Sequence, residues 1–549
     1  MDTIKINVFG EEKEVQKGIC LKDLAKDYQD KFKYKIVCAR IGNAIKDLNT
    51  TLDTDCSIEF LQIIDNHANR VYINSLIYLC IYAYKELFGR DHDVKVTHSI
   101  DKGICIEADR TITSEDVENI KQKMVELRDA DLEIKKVKVF RRDALNYYKH
   151  HNEKSKYDLI RYNTNTYINL YKLGNLYDYF FSIMVPSTSY LDIFDLNYVA
   201  DNEFVLRFPT VYQKEMVEYT ERKNLMSLFH EHNELGKKIK VETLADLNKV
   251  IEEGRISDLI RMVEVVQSNK LLEIASHIND HIDTVRIVLL AGPSSSGKTT
   301  TCNKLAMYLK SFGITPKMLS MDDYFKDMKD RPRDENGNID FESFNTLDLK
   351  LLDEQLKDIL DGKEVTTPTF DFYAGEKVFK DKLKLGKNEV LIMEGIHALN
   401  TLLTKNVTSD MVVKIYLSPL TELNLDNHNR ISTTDSRLLR RIVRDFRTRD
   451  CSAERTLELW DGVRKGEEEN IFPYQDNADY AFNTDLVYEL GVLRTYAEPI
   501  LHSVSETSPY YEDALRLLKF LKNVLPIPSE SIPDDSIARE FIGGSCFKV

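Results

Sequence analysis

The residues best suited to chemistry lie in one short stretch, Gly292-Pro293-Ser294-Ser295-Ser296-Gly297-Lys298-Thr299, with Thr300 next in line. Glycines and small serines let successive backbone N–H groups curl around phosphate oxygens, and a helix starting at the same point adds partial positive charge. Lys298 can reach the β- and γ-phosphates of a nucleotide, and the Thr299 hydroxyl can ligate Mg²⁺. The apolar run VRIVLLA before the loop and TTCNKLAMYLKSFG after it supply the strand and helix that such a loop requires. The pattern predicts ATP and Mg²⁺ as cofactors. Gly292, Ser294, Ser295, Ser296, Gly297, Lys298, Thr299 and Thr300 would surround the phosphates.

A phosphate loop leaves the acceptor open. Ser320-Met321-Asp322-Asp323-Tyr324-Phe325 follows a second predicted strand. A carboxylate there, in the ligand crevice of a parallel sheet, can take a proton from a substrate hydroxyl; capping a helix is the plainer role for the same residue type. Read as extended chain, the segment points Asp322 and Asp323 in opposite directions. Leu391-Ile392-Met393-Glu394-Gly395 ends another strand in an acid placed for a metal or its waters, or for solvent. Seven arginines (430, 437, 440, 441, 444, 447 and 449) fall within twenty residues. Helical spacing puts Arg437, Arg441 and Arg444 on one face and Arg440 and Arg447 on another. One face could close over a transferring phosphoryl group. The bland role, a solvated face paired with Asp435 and Asp445, is expected for two or three of them. His277 and His281 have zinc-helix spacing but neither the adjacent Glu nor a third ligand, so they read as a polar helix face.

These side chains need a scaffold. From Val285 onward, strand-like VRIVLLA, KMLSM, EVLIMEGI and MVVKIYLS alternate with helical stretches, which predicts a doubly wound α/β domain with a parallel sheet. Upstream, residues 1–64 read as a small β-rich unit, and residues 65–209 mix strands with helices, one of them capped at Ser114. Residues 210–283 read as a helical connector, 284–500 as the α/β domain, and 501–549 as a helix followed by a Pro-rich, loop-like tail.

Composition narrows the classes. The chain has 549 residues and a net charge of −15, which excludes wholesale coating of nucleic acid. No apolar run approaches the roughly 18 residues of a membrane span, and the first residues lack a secretory pattern. Eight scattered cysteines without a C-x-x-C pair fit reduced thiols and a cytoplasmic protein.

Taken in order, GPSSSGKT, SMDDYF, DFESF (340–344), TPTFDFYAGEK (367–377), LIMEGI and RLLRRIVRDFRTRD (437–450) resemble the motifs of the uridine kinase and phosphoribulokinase superfamily. That resemblance implies a nucleoside kinase. Asp322 would be the general base for a 5′-hydroxyl, assisted by Lys298, with Thr299 and Glu394 at Mg²⁺. Arg444 and Arg449 would bind ATP phosphates. Tyr324, Glu342, Phe370, Asp371 and Arg441 would lie around the acceptor, Glu342 standing where the family has Asp for the ribose hydroxyls. Two departures weaken pyrimidine specificity: Phe370-Asp371-Phe372 replaces a Tyr-Asp-Phe segment, and Gly375 aligns with a base-reading His. Another small alcohol or sugar phosphate is the alternative acceptor.

Residues 1–64 also resemble a β-grasp TGS domain, and residues 67–209 the editing domain of threonyl-tRNA synthetase. Where active editing domains carry H-S-x-x-H, this chain has Asn74-Ser75-Leu76-Ile77-Tyr78, which implies no editing hydrolysis. These parts leave a second class open, an RNA- or translation-linked regulator with a nucleotide-sensing loop, though no basic patch points to nucleic acid. The C-terminal IPDDSIAREFIGGS resembles the ending of a bacterial nucleoside kinase family that joins the same parts. Self-association is left open.

Overall fold

The computed structural model describes all residues except 1, 101, 217, 221–222, 334–336, 338–341, 372–373, 406, 422 and 549, and omits the side chains of 223–225, 227–228, 230 and 232–233. Asp340 and Phe341 of the DFESF motif, and Phe372 and Tyr373 of TPTFDFYAGEK, therefore lie outside the described residues.

The alternating pattern of Thr3–Val8 buries Ile4, Ile6 and Val8 on one face, as a half-covered strand should. It lies in a five-stranded sheet ordered Glu11–Gln16, Thr3–Val8, Cys56–Gln62, Ile36–Ile41, Ala44–Asp47. The first and last strands in sequence run parallel beside each other in it. Helix Leu21–Lys26 buries Leu21, Leu24 and Ala25.

The next unit is built on helix Asn66–Phe88, buried along most of its length, and a four-stranded antiparallel sheet that includes Val94–Ile100 and Gly103–Ala108. Helix Ser114–Asp129 is capped by Thr113 rather than Ser114. Thr113 has extended backbone angles, its hydroxyl accepts from Asp116 N–H at 3.1 Å, and Asp116 accepts from Thr113 N–H at 2.8 Å. The reciprocal pair needs an acidic residue three positions on, which favours Thr113.

In the C-terminal half, five strands form a wholly parallel sheet ordered Thr315–Ser320, Glu389–Glu394, Ile287–Ala291, Val412–Ser418, Tyr480–Asn483. Every residue of the central strand Ile287–Ala291 is buried, because helices cover both faces. The Val365–Asp371 and Glu376–Leu383 strands form a separate antiparallel hairpin. Helix Ile256–Asp280, read above as part of a connector, packs on helix Lys298–Ser311, and its Leu271, Ile274 and Ile278 enter one core with Leu305 and Leu309. The tail joins the same core through Leu517, Ile537 and Phe541, and its segment Ala538–Ile542 is helical rather than loop. Amphipathic segments at both ends of the α/β unit thus bury their apolar stripes against it.

The two halves meet at residues 424–429. Val96 N–H donates to Asn427 O at 2.8 Å, and Asn424 Nδ2 to Val96 O at 2.7 Å. His428 bridges Asp178 at 2.6 Å and Asp93 at 2.8 Å, while buried Lys156 pairs with Asp178 and with Asp426 at 3.2 Å. No helix among the described residues is long and apolar enough to cross a membrane.

Candidate active site

The phosphate loop leaves the central strand at Ala291 and turns into helix Lys298–Ser311. Gly292 and Gly297 are demanded by space. A Cβ at Gly292 would lie 2.6 Å from Ser296 Oγ and 2.7 Å from Leu417 O; Gly297 has φ +79°. Ser295 also takes a positive φ, 60°, a cost of order 1 kcal/mol for a residue with a side chain. Arg440 Nη1 steadies it, donating to Ser295 O at 3.2 Å. Lys298 Nζ donates to the carbonyls of Gly292 and Pro293 at 3.0 and 3.2 Å, so the ammonium lies over the mouth of the loop. The Ser295 and Ser296 hydroxyls are buried without hydrogen-bond partners among the described residues.

Residues Met321–Tyr324 form one turn of 3-10 helix instead of extended chain, because the Ser320 hydroxyl accepts from Asp322 N–H and starts a turn. The two acids still diverge. Asp323 accepts from Phe370 N–H at 3.0 Å and ties the hairpin to the turn. Asp322 remains open to water at the bottom of the crevice, yet the surrounding walls displace enough solvent to raise its carboxyl above the usual range. Lys298, Arg449 and Arg331 pull it back down and Asp323 pushes it up.

Glu394 ends the strand next to the loop. Burial drives its carboxyl up to about 7, Lys298 opposing and Asp322 and Glu540 adding to the rise. Glu342 behaves alike: burial first, then Glu467, carries it to about 7, with Arg441 and Lys298 opposing. Glu342 lies against Gly466, where a Cβ would collide with its side chain. Phe370 is buried; Asp371 is exposed and accepts from Ala374 N–H at 3.0 Å, holding the hairpin turn. Tyr324 is buried in the core with its hydroxyl committed to Gln355 at 2.6 Å. Gly375 has φ +72°, and a Cβ there would lie 2.6 Å from Met328 Cγ, so this turn admits no side chain without a shift.

Helix Thr433–Thr448 carries five of the seven arginines, with Arg449 at its C-terminal cap and Arg430 before it, and their division differs from the one that helical spacing suggests. Arg437 and Arg440 are buried, not solvated: Arg437 pairs with Glu467 and donates to Ser294 O at 3.1 Å, and Arg440 Nε donates to Glu489 at 2.7 Å. Arg441 Nη1 donates to Ser294 Oγ at 3.0 Å. Arg441, Arg444 and Arg449 converge on the single carboxylate of Asp445, at 3.2, 2.8 and 3.6 Å. One carboxylate cannot neutralise three guanidinium groups, which leaves local positive charge beside the loop.

Sequence reasoning passed over several participants. Arg331 lays its guanidinium 4.7 Å from both the Phe325 and Phe370 rings and couples electrostatically to Asp322. Glu467, within a run of three glutamates, gives no signal until its pairing with Arg437 and Arg464 is seen. Glu540 lies in the tail motif.

A mononucleotide-binding loop on a parallel sheet, a carboxylate across the crevice and a flanking arginine helix define a P-loop phosphotransferase. Residues 287–486 match the model of the Phosphoribulokinase / Uridine kinase family. The uridine kinases of Staphylococcus aureus strains JH9 and Newman are each 31% identical over 194 residues, 35% of this chain and 84% of theirs. The chain belongs to the phosphoribulokinase and uridine kinase family. Among solved structures it is similar to a possible uridine kinase from Bacillus stearothermophilus (18% identity, TM-score 0.23, 38% of this chain and 100% of that one). It is also similar to the D-glycerate 3-kinase of Cryptococcus neoformans var. grubii (16%, TM-score 0.20, 49% and 89%).

Proposed function

We propose that the protein transfers the γ-phosphoryl group of ATP to the 5′-hydroxyl of a nucleoside. The observation that carries this reading is the placement of Lys298 Nζ over the loop mouth, 3.0 and 3.2 Å from the Gly292 and Pro293 carbonyls, with Asp322 in the turn that follows strand Thr315–Ser320 of the same parallel sheet. It pairs a proton acceptor with a phosphate-binding cation, as attack of a hydroxyl on phosphorus needs. Asp322 takes the hydroxyl proton. Lys298 and the arginines at Asp445 hold the charge that spreads over the equatorial oxygens. Glu342 would bind sugar hydroxyls beside Arg441, and Phe370 would form an apolar wall.

Among the described residues no cluster of three His, Cys, Asp or Glu side chains could alone hold a metal. Mg²⁺ asks for less, since one or two protein oxygens beside substrate phosphates and waters suffice. Thr299 and half-buried Glu394 fit that requirement, and a dication would favour the Glu394 carboxylate against the burial that raises it. When bound, Mg²⁺ would supply positive charge that offsets the charge of the nucleotide phosphates.

Two observations favour a second acceptor class within the family. Gly375 cannot carry a base-reading side chain, and Arg331 brings a cation near Asp322, which suits a phosphorylated sugar. Assay of ADP release against nucleosides and sugar phosphates separates the two. Turnover with nucleosides alone supports the first reading, and turnover with sugar phosphates alone replaces it.

The N-terminal parts are read as a TGS domain of β-grasp type and a non-hydrolytic editing-like domain. The central parallel pair of strands supports the former. For the latter, Tyr78 spends its hydroxyl structurally, donating to Tyr171 O at 2.8 Å and accepting from Leu173 N–H at 3.0 Å, and Asn74 donates to Arg70 O. Eight free cysteines support a cytoplasmic setting.

A further inference from the structure

We propose that the C-terminal segment 533–543 is a built-in competitor for the nucleotide. Its Glu540 carboxylate fills an anion subsite at the start of the phosphate-loop helix, and ATP must displace it. This inference rests on the loop being a nucleotide site and concerns the regulation of that site.

Thr300 is the third residue of helix Lys298–Ser311, so its N–H is one of the donors that no helical carbonyl satisfies. The helix dipole favours an anion at this point. Glu540 Oε2 accepts from both Thr300 N–H and Thr300 Oγ1, at 3.1 and 2.9 Å, and both residues are buried. A bound nucleotide phosphate would seek these same two donors. The carboxylate therefore stands in for a phosphate group.

Its neighbours place the rest of the segment over the loop as well. Ile537 abuts Gly297, where a Cβ would come within 2.6 Å of Ile537 Cγ2. Arg447 donates to Glu540 O at 3.0 Å and Phe541 O at 3.1 Å, and Arg440 lies 4.9 Å from the Phe541 ring centroid. Asp535 pairs with Lys304 of the loop helix at 3.1 Å. The segment thus draws on both the phosphate-loop helix and the arginine helix, the two elements assigned to nucleotide. Its helical part is a single turn, Ala538–Ile542, followed by Gly543 and Gly544 at φ +93° and +73°. Lifting this turn would leave the sheet intact but withdraw Ile537 and Phe541 from the shared core, so bound nucleotide must outweigh that burial as well as the carboxylate contact.

The test uses the full chain and ATP itself. Calorimetric titration should find ATP bound about tenfold more tightly by Glu540→Gln, which keeps the shape but removes the competing charge. In the wild-type protein, which needs no variant to fold, saturating ATP should speed amide hydrogen exchange across 536–543. Unchanged or weaker ATP binding by Glu540→Gln overturns the proposal. So does slower or unchanged exchange across 536–543, which would make the segment a fixed wall of the site. If neither protein binds ATP at all, the nucleotide reading itself falls and the competitor falls with it; binding without displacement removes the competitor alone.

Discussion

Replacing Asp322 by Asn keeps the outline of the side chain and removes its ability to accept a proton. The carboxylate lies in the electrostatic field of Lys298, Arg449 and Arg331, so its loss removes a negative charge that would repel phosphate, and ATP affinity should hold or rise slightly. The chemical step should slow by about 10²–10⁴-fold, the usual cost of losing general-base assistance. That corresponds to about 3–5 kcal/mol of transition-state stabilisation. Because the interaction matters mainly in the transition state, kcat should fall far more than KM rises. Asp323→Asn is the control. Asp323 accepts from Phe370 N–H at 3.0 Å, and an amide oxygen can still accept there, so the loss should stay near the ~1 kcal/mol of one neutral hydrogen bond. Steady-state rates with coupled ADP detection, and ATP affinity by titration, read both variants. If Asp323→Asn abolishes turnover while Asp322→Asn does not, the base has been misassigned. If neither slows turnover, the crevice does no acid–base chemistry.

Lys298→Ala should lower turnover by more than about 10²-fold, as loss of a preorganised charge-stabilising group does, with the far-ultraviolet dichroism spectrum unchanged; retention of a tenth of the activity would refute the loop assignment. His428 should make the joint between the halves sensitive to alkali. Burial alone would lower its pKa, but Asp93 and Asp178 outweigh both that and Lys156 and raise it to about 9. A folded pKa above the unfolded value of about 6.5 contributes stability that is whole below pH 6.5 and lost as pH climbs through 9. Denaturant titrations should therefore show stability falling over that window, and His428→Gln should flatten the fall; an unchanged slope in the variant would contradict the network.

The α/β core was legible because its inner strands, Ile287–Ala291 above all, are continuous apolar runs as a sheet covered on both faces requires, whereas the short edge strand Tyr480–Asn483 carries no such run and was missed. The loop residues were legible because glycine and lysine spacing is dictated by phosphate geometry alone. What escaped was set by contacts between distant segments. Nothing in the local pattern distinguishes Arg437 and Arg440, buried against Glu467 and Glu489, from the arginines left beside Asp445. The turn at Met321–Tyr324 depends on one serine hydroxyl, and a tail of loop-like composition became ordered by packing on the loop helix. The Thr113 cap was within reach, since Asp116 three residues on is the mark of a capping box.

The most direct test of the account is product analysis. The protein should be incubated with ATP, Mg²⁺ and an equimolar panel of nucleosides, and the products separated and identified by mass spectrometry. The account predicts a nucleoside 5′-monophosphate formed in step with ADP, and its disappearance with Asp322→Asn. ADP release without any phosphorylated nucleoside, or phosphate found only on a sugar or sugar phosphate added in its place, would contradict it.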